Sequence, residues 1–277
     1  MLPQILAAAD APVEDIFFSY IPNSARIAFH GLLEELVTMS LTQRRGEAEI
    51  TIPRFGEIAV KDAKFRTFIA DAAARREFYK HVYDVTYGLV RPGKDTLVVL
   101  DDSIVRGNTM KNAILPMLDR LGPRRIVIAS SAPPIRYPDC YGIDMSTLGE
   151  LVAFRALVNL LDGERGTGNG ERELRNALGE QASCPLNPLA SLYARFTEEQ
   201  HAAEIVRLLT PPGMKAEVAV VYQTIDALRS CLASPSDTSA PSIGDWYFTG
   251  DYPTPGGYRV LRNALQNYLG HKVGRSY

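Results

Sequence analysis

The sequence predicts an α/β fold: a mostly parallel, doubly wound sheet with ligand-binding loops over the carboxyl ends of its strands. Three observations carry this. Short apolar runs at 97–100, 126–130 and 218–222 suit strands buried on both faces. Segments with helical apolar spacing alternate with them. Gly122-Pro123 closes one of these segments as a helix terminator would.

In chain order, residues 16–21 read as the first strand, and an amphipathic helix over 24–40 follows with Ser24 as its N-cap. Residues 50–60 contain a short strand interrupted at Pro53 and Gly56. A charged, aromatic-rich helix is expected over 75–87. The strand at 97–100 leads through a loop to a helix at 110–121, then a strand at 126–130 and a helix at 148–161. A late strand at 218–222 precedes a helix at 224–232. The polar segments 162–170 and 234–241 read as flexible loops.

Composition narrows the function classes. The 277 residues carry 30 Lys and Arg against 32 Asp and Glu, a net charge of -2, which argues against a nucleic-acid binder with a broad basic face. No apolar run approaches the roughly 20 residues needed to span a bilayer. The amino terminus lacks a signal-peptide pattern. Cys140, Cys184 and Cys231 do not form a disulfide framework, and His30, His81, His201 and His271 are too scattered for a zinc site. A cytoplasmic chain with reduced thiols is the expectation.

The chemistry concentrates in 96–109, Thr-Leu-Val-Val-Leu-Asp-Asp-Ser-Ile-Val-Arg-Gly-Asn-Thr. An apolar strand ends in two adjacent carboxylates, a short glycine-bearing loop follows, and a helix begins. The first N–H groups of a helix lack internal partners and sit at the positive end of its dipole, so an anion docks there. Gly107 lets the backbone approach closely, and Ser103, Asn108 and Thr109 add side-chain donors. Asp101 and Asp102 repel a phosphate but accept hydrogen bonds from a vicinal diol. A ribose 5-phosphate unit satisfies both halves. The plainer reading of such a string is an ordinary strand-to-helix turn capped by Asp102 or Ser103.

The full string resembles the phosphoribosylpyrophosphate (PRPP) motif of type I phosphoribosyltransferases, and Asp101-Asp-Ser-Ile-Val-Arg-Gly-Asn-Thr109 resembles in particular the glutamine PRPP amidotransferase branch. Other segments agree in order and rough spacing: Tyr20-Ile-Pro-Asn-Ser24, Arg66-Thr-Phe-Ile69, the stretch 130–145 with Arg136-Tyr-Pro-Asp-Cys-Tyr-Gly142, Glu150-Leu-Val-Ala153, and Tyr247-Phe-Thr-Gly-Asp-Tyr-Pro-Thr254. The resemblance implies the type I phosphoribosyltransferase fold over 1–277, with a mobile lid at 66–92 and a carboxy-terminal extension. It covers only the phosphoribosyltransferase half of that branch. The expectation is therefore a chain without the glutaminase domain, whose nucleophile is an amino-terminal cysteine; Met1-Leu2-Pro3 stands at the start here.

Carried over residue by residue, the resemblance implies pyrophosphate contact at Ser24 and, beside it, Asn23. It implies transition-state charge stabilisation by Lys61 and Arg66, and substrate binding by Ser103, Ile104, Val105, Arg106, Gly107, Asn108 and Thr109. An ordinary N-cap is the alternative for Asn23 and Ser24, and a solvated charge run for Arg75 and Arg76. Lys64 falls at a one-residue gap in the match. Arg106 either touches the 5-phosphate or pins the loop. Tyr137, Asp139 and Tyr141 line the acceptor side or simply pack, and Trp246, Tyr247 and Phe248 read as a packing cluster. Mg2+ is expected to arrive with PRPP, with Asp101 and Asp102 acting on it only indirectly while they hold the ribose hydroxyls. No iron–sulfur cluster is expected, because Asp139, Gly244 and Tyr247 stand where cluster-bearing members have cysteines.

The reaction this implies is attack of ammonia on carbon 1 of PRPP, giving 5-phosphoribosylamine and pyrophosphate. Ammonia comes free or from a separate glutaminase, and a homo-oligomer is expected. Two alternatives stay open: a type I phosphoribosyltransferase acting on a nucleobase, and a non-catalytic module that senses PRPP or a nucleotide.

Overall fold

The computed structural model describes residues 1–22, 24–42, 53–61, 83–143, 145–165, 168–180, 187–232 and 244–272. By their internal contacts they group into two units. The first comprises Met1–Ser103, Asn108–Ala132 and Leu209–Gln223, and the second Ile104–Gly107, Pro133–Leu208 and Thr224–Tyr277.

In the first unit, β1 (Ile16–Tyr20), β2 (Arg54–Phe55), β5 (Thr96–Asp101), β6 (Arg125–Ser130) and β7 (Glu217–Tyr222) form one sheet in the order β2-β1-β5-β6-β7. Every pairing in it is parallel, with Tyr20 opposite Leu100, Leu100 opposite Ala129 and Ala129 opposite Val221. Strands buried on both faces need apolar residues at every position. Accordingly Leu97, Val98, Val99 and Leu100 of β5 and Ile126, Val127, Ile128 and Ala129 of β6 are all buried. On one face Phe18, Val98, Leu100 and Val127 share a core with α1 (Leu2–Ala9) and α2 (Arg26–Thr42), through Leu2, Ile5, Phe29, Leu32 and Leu36.

Arginines at the amino ends of the strands hold α1. Arg124 donates to the carbonyl of Asp10 at 2.7 Å and Arg125 to that of Ala8 at 2.9 Å, so cations meet the negative end of the helix.

The boundaries depart from expectation in several places. The helix expected at 24–40 begins at Arg26, so Ser24 is not its N-cap. The interrupted strand at 50–60 is two strands, β2 and β3 (Ala59–Lys61). Strand β3 pairs antiparallel with β4 (Tyr83–Val85) in a separate two-stranded sheet. Tyr83–Val85 is therefore strand where the reading of 75–87 expected helix, and 75–82 lies outside the described residues. The helix expected over 110–121 opens as a π-helical turn, Met110–Ile114, and continues only as α3 (Leu115–Asp119). Pro116 has no N–H and its ring crowds the preceding turn, which widens instead of keeping α geometry.

The second unit is helical: α4 (Val152–Arg165), α5 (Asn169–Glu180), α6 (Ala190–Tyr193), α7 (Glu198–Leu209), α8 (Ile225–Leu232), α9 (Trp246–Thr249) and α10 (Pro255–Leu269). Its core takes Phe154, Leu157 and Leu161 from α4, Leu174 and Ala177 from α5, and Leu261, Ala264, Leu265 and Leu269 from α10. These are helical spacings with one apolar stripe per helix. The loop expected at 162–170 is mostly helix, because α4 runs to Arg165 and α5 starts at Asn169. Asn169 makes this tight junction by donating to the carbonyl of Leu161 at 2.7 Å. The loop expected at 234–241 lies outside the described residues.

Candidate active site

Strand β5 lies in the middle of the sheet and ends at Asp101, with Asp102 immediately after it. The backbone of this acid pair is tied to the continuation of β6. Ser131 N–H donates to the Asp101 carbonyl at 2.9 Å and Ala132 N–H to that of Asp102 at 3.1 Å. The side chains are held locally: Asp102 N–H donates to Asp101 Oδ1 at 2.9 Å, and Ser103 N–H to Asp102 Oδ1 at 2.6 Å. Among the described residues no cation pairs with either acid.

Burial, with the neighbouring Asp102 charge adding to it, pushes the Asp101 carboxyl up to about 7. Such a group titrates where small changes in its surroundings decide its charge.

Beyond the pair the chain turns through Ile104–Gly107. Ile104 is 4% exposed, so its side chain serves packing and its contact to a ligand is limited to backbone. Val105 packs against the core of the second unit, and its carbonyl accepts from Val152 N–H at 2.9 Å. Arg106 donates through Nε to Glu150 Oε2 at 2.7 Å, and its carbonyl accepts from Arg155 Nη2 at 2.6 Å. The contact with Glu150 is of the pinning kind. Gly107 has φ 75°, a left-handed conformation that costs a residue with a Cβ about 1–2 kcal/mol. Asn108 is exposed and Thr109 is helical, so the loop delivers both at the start of the helical turn.

Ser24 is exposed and follows the end of β1, the neighbour of β5 in the sheet. Because β1 and β5 are parallel, Ser24 and the acid pair lie beyond the same edge of the sheet. Lys61 is the last residue of β3, and the backbone alone places it there. Asn23, Lys64, Arg66, Arg75 and Arg76 lie outside the described residues, as does 66–82 of the expected lid. The described lid residues include β4.

In the stretch around Asp139 buried and exposed residues mix, and Tyr141 is 58% exposed. Tyr137 is 2% exposed, and the Asp139 carboxylate is buried. Its Oδ2 accepts from the N–H groups of Tyr141, Gly142 and Ile143 at 2.7–2.9 Å, and its Oδ1 from the Tyr247 hydroxyl at 2.7 Å. Burial alone would raise its pKa, but these four donors outweigh it and hold the carboxyl below its usual range. Asp139 and Tyr247 are thus bonded to each other. Trp246, Tyr247 and Phe248 pack against the core of the second unit.

Sequence reasoning missed Arg155. It lies three positions past Val152, but only the fold shows that it reaches the loop 49 residues earlier. Among the described residues no cluster of three or more His, Cys, Asp or Glu could hold a metal, and no helix is long and apolar enough to cross a membrane.

No family model matches the chain. It is 53% identical over 62 residues to an amidophosphoribosyltransferase of Pasteurella multocida, covering 22% of this chain and 12% of that protein. It is 34% identical over 133 residues to one of Staphylococcus epidermidis, covering 48% and 24%. Among solved structures, the glutamine PRPP amidotransferase of B. subtilis complexed with ADP and GMP superposes with a TM-score of 0.51 at 24% identity, over 91% of this chain and 41% of that one. A structure described as the allosteric regulatory enzyme of purine biosynthesis superposes equally well, at 0.51 and 24%, over 91% and 40%. The matched region thus spans under half the length of each of these proteins. The fold is that of a type I phosphoribosyltransferase, and the sequence is similar to amidophosphoribosyltransferases over part of their length.

Proposed function

We propose that this chain, similar to amidophosphoribosyltransferases over part of their length, transfers ammonia to carbon 1 of PRPP, yielding 5-phosphoribosylamine and pyrophosphate. The observation that carries the reading is the pair Asp101 and Asp102. It stands, with no cation beside it among the described residues, at the carboxyl end of a central parallel strand, shortly before a left-handed glycine and a helical turn. In such sheets ligands bind beyond the carboxyl ends of the strands. The two carboxylates accept the 2- and 3-hydroxyls of the ribose. The loop amides and the Ser103, Asn108 and Thr109 side chains receive the 5-phosphate. Ser24, Lys61 and Arg66 act on the pyrophosphate.

In the reaction the nitrogen lone pair of ammonia forms the bond to carbon 1, the bond from carbon 1 to the pyrophosphate oxygen breaks, and the added nitrogen releases a proton to solvent. Mg2+ bound to the substrate would neutralise the departing pyrophosphate. Asp101 and Asp102 offer the hard oxygen donors that suit it, through water and the ribose hydroxyls. The protein's own contribution is positioning and charge stabilisation rather than acid–base chemistry. A lid over 66–92 would exclude water from the activated sugar. Ammonia would come free or from a separate glutaminase, and a homo-oligomer is the expected assembly.

The test is release of pyrophosphate from PRPP, Mg2+ and ammonium at mildly alkaline pH, with a panel of nucleobases in parallel. Ammonium-dependent release supports the reading. Release only with a base makes the chain a nucleobase phosphoribosyltransferase, and binding without release in any arm makes it a sensor.

A further inference from the structure

The middle of the acid-pair loop is anchored by the start of α4 and by Glu150 just before it. Three contacts do this: Val152 N–H to the Val105 carbonyl at 2.9 Å, Arg155 Nη2 to the Arg106 carbonyl at 2.6 Å, and Arg106 Nε to Glu150 Oε2 at 2.7 Å. The first also satisfies an amide that the helix itself leaves unpaired. In a planar trans peptide the N–H lies opposite the C=O. With the Val105 and Arg106 carbonyls both engaged by α4, the N–H groups of the same two peptides, those of Arg106 and Gly107, lie on the opposite side. Consecutive N–H groups aligned across a residue at φ 75° form a concavity suited to an anion. Were the Arg106–Gly107 peptide to flip, it would present a carbonyl oxygen in the same place and repel a phosphate.

Arg155 is an expensive way to hold one carbonyl. Its Nε is buried and has no hydrogen-bond partner among the described residues. An unsatisfied buried polar atom calls for a reason. A hydrogen bond from a charged donor is stronger than one from a neutral group, and a flat guanidinium anchored in packing fixes a peptide plane better than a flexible chain would.

We propose that Arg155 is a positioning residue for the phosphate loop, clamping the Arg106 carbonyl so that the Gly107 N–H is presented to the 5-phosphate of the substrate. This rests on the reading of 101–109 as a ribose 5-phosphate site and assigns it a residue that does not touch the ligand.

The experiment is calorimetric titration of the full chain with PRPP, ribose 5-phosphate and pyrophosphate, comparing wild type, Arg155→Met and Arg155→Lys. Loss of the clamp is expected to weaken PRPP and ribose 5-phosphate by the same factor, roughly tenfold or ~1.4 kcal/mol. Pyrophosphate affinity should hold steady, and the lysine variant should recover part of the loss. A merely structural role would lower all three together. A folded methionine variant that binds ribose 5-phosphate as tightly as wild type overturns the proposal, and so does an equal loss of pyrophosphate. Should that variant fail to fold, the wild-type Gly107 amide resonance decides: a large shift on adding ribose 5-phosphate supports the clamp, and no shift overturns it. A wild type that binds neither PRPP nor ribose 5-phosphate overturns the site reading itself, and the clamp falls with it.

Discussion

Strand β5 is preceded by one carboxylate, Asp95, and ends in another, Asp101, and the two are treated in opposite ways. Asp95 is fully buried and saturated: Arg54 Nη1 donates to both of its oxygens at 2.8 Å, Arg91 Nε to one at 2.7 Å and Arg91 N–H to the other at 2.7 Å. Burial would raise its pKa, but the hydrogen bonds from Arg91 and Arg54 win and hold it below the ordinary carboxylate range. Asp101, six residues later, has no cation among the described residues, and burial with the Asp102 charge lifts it to about 7. The fold neutralises a carboxylate thoroughly at one end of the strand, and among the described residues it sets no cation beside the pair at the other. Asp95 holds β5 to its neighbours, while Asp101 accepts the Asp102 N–H and meets no cation among the described residues.

Substitutions at the two ends should separate along that line. The largest effect is expected from replacing Asp101 and Asp102 together by asparagine. Each hydrogen bond to a charged acceptor contributes about 1.5–3 kcal/mol, so PRPP turnover should fall by roughly 10²–10⁴-fold while the melting temperature holds or rises. Retained turnover would remove the diol role.

Asp95→Ala should behave in reverse. Losing the acid from a buried cluster costs about 3 kcal/mol of unfolding free energy, moderated by the partial exposure of the arginines, and kcat in the folded fraction should stay near wild type. Denaturant unfolding beside steady-state kinetics checks both halves, and an unchanged midpoint would erase the contrast.

Gly107→Ala is expected to be smaller. Left-handed backbone costs alanine about 1–2 kcal/mol, which should appear as a five- to thirtyfold rise in the KM for PRPP with little effect on the sheet.

Much of the first unit was legible because of how it is buried. Strands covered on both faces leave continuous apolar runs, so β5 and β6 stood out at 97–100 and 126–130, and the half-buried edge strand β7 kept an apolar run at 218–222. The acid pair and its glycine stood out because the proposed diol and phosphate recognition calls for those residue types in that order.

The second unit was harder to read. Asn169 and Gly170 look like a loop, yet they open α5, because the Asn169 amide bonds back to Leu161 and Asp162 accepts the Gly170 N–H. Pro255-Gly256-Gly257 likewise hides the start of α10. Proline suits a first helical turn, and Gly257 is needed there because a Cβ would fall 2.4 Å from the Tyr252 ring. The bond from Tyr247 to Asp139 spans 108 residues, and only tertiary structure brings its ends together. In the candidate site the same limit applies: the contiguous residues 101–109 were legible as a candidate, and the arginine that braces their loop was not.

The proposed diol contact turns on the state of Asp101, so the most direct measurement is its carboxyl titration by NMR, with and without PRPP and Mg2+. The raised pKa means that the folded state binds the Asp101 proton more tightly than the unfolded chain. This contribution to stability is complete below the unfolded value of 3.8 and is lost as pH rises through about 7. Accepting two ribose hydroxyls favours the ionised form, so the ligand should release that proton and bind more tightly as pH rises toward and past 7. The expected result is an apo midpoint near 7 that moves down when PRPP is added. An apo midpoint in the ordinary carboxylate range, or one that PRPP leaves in place, would contradict it.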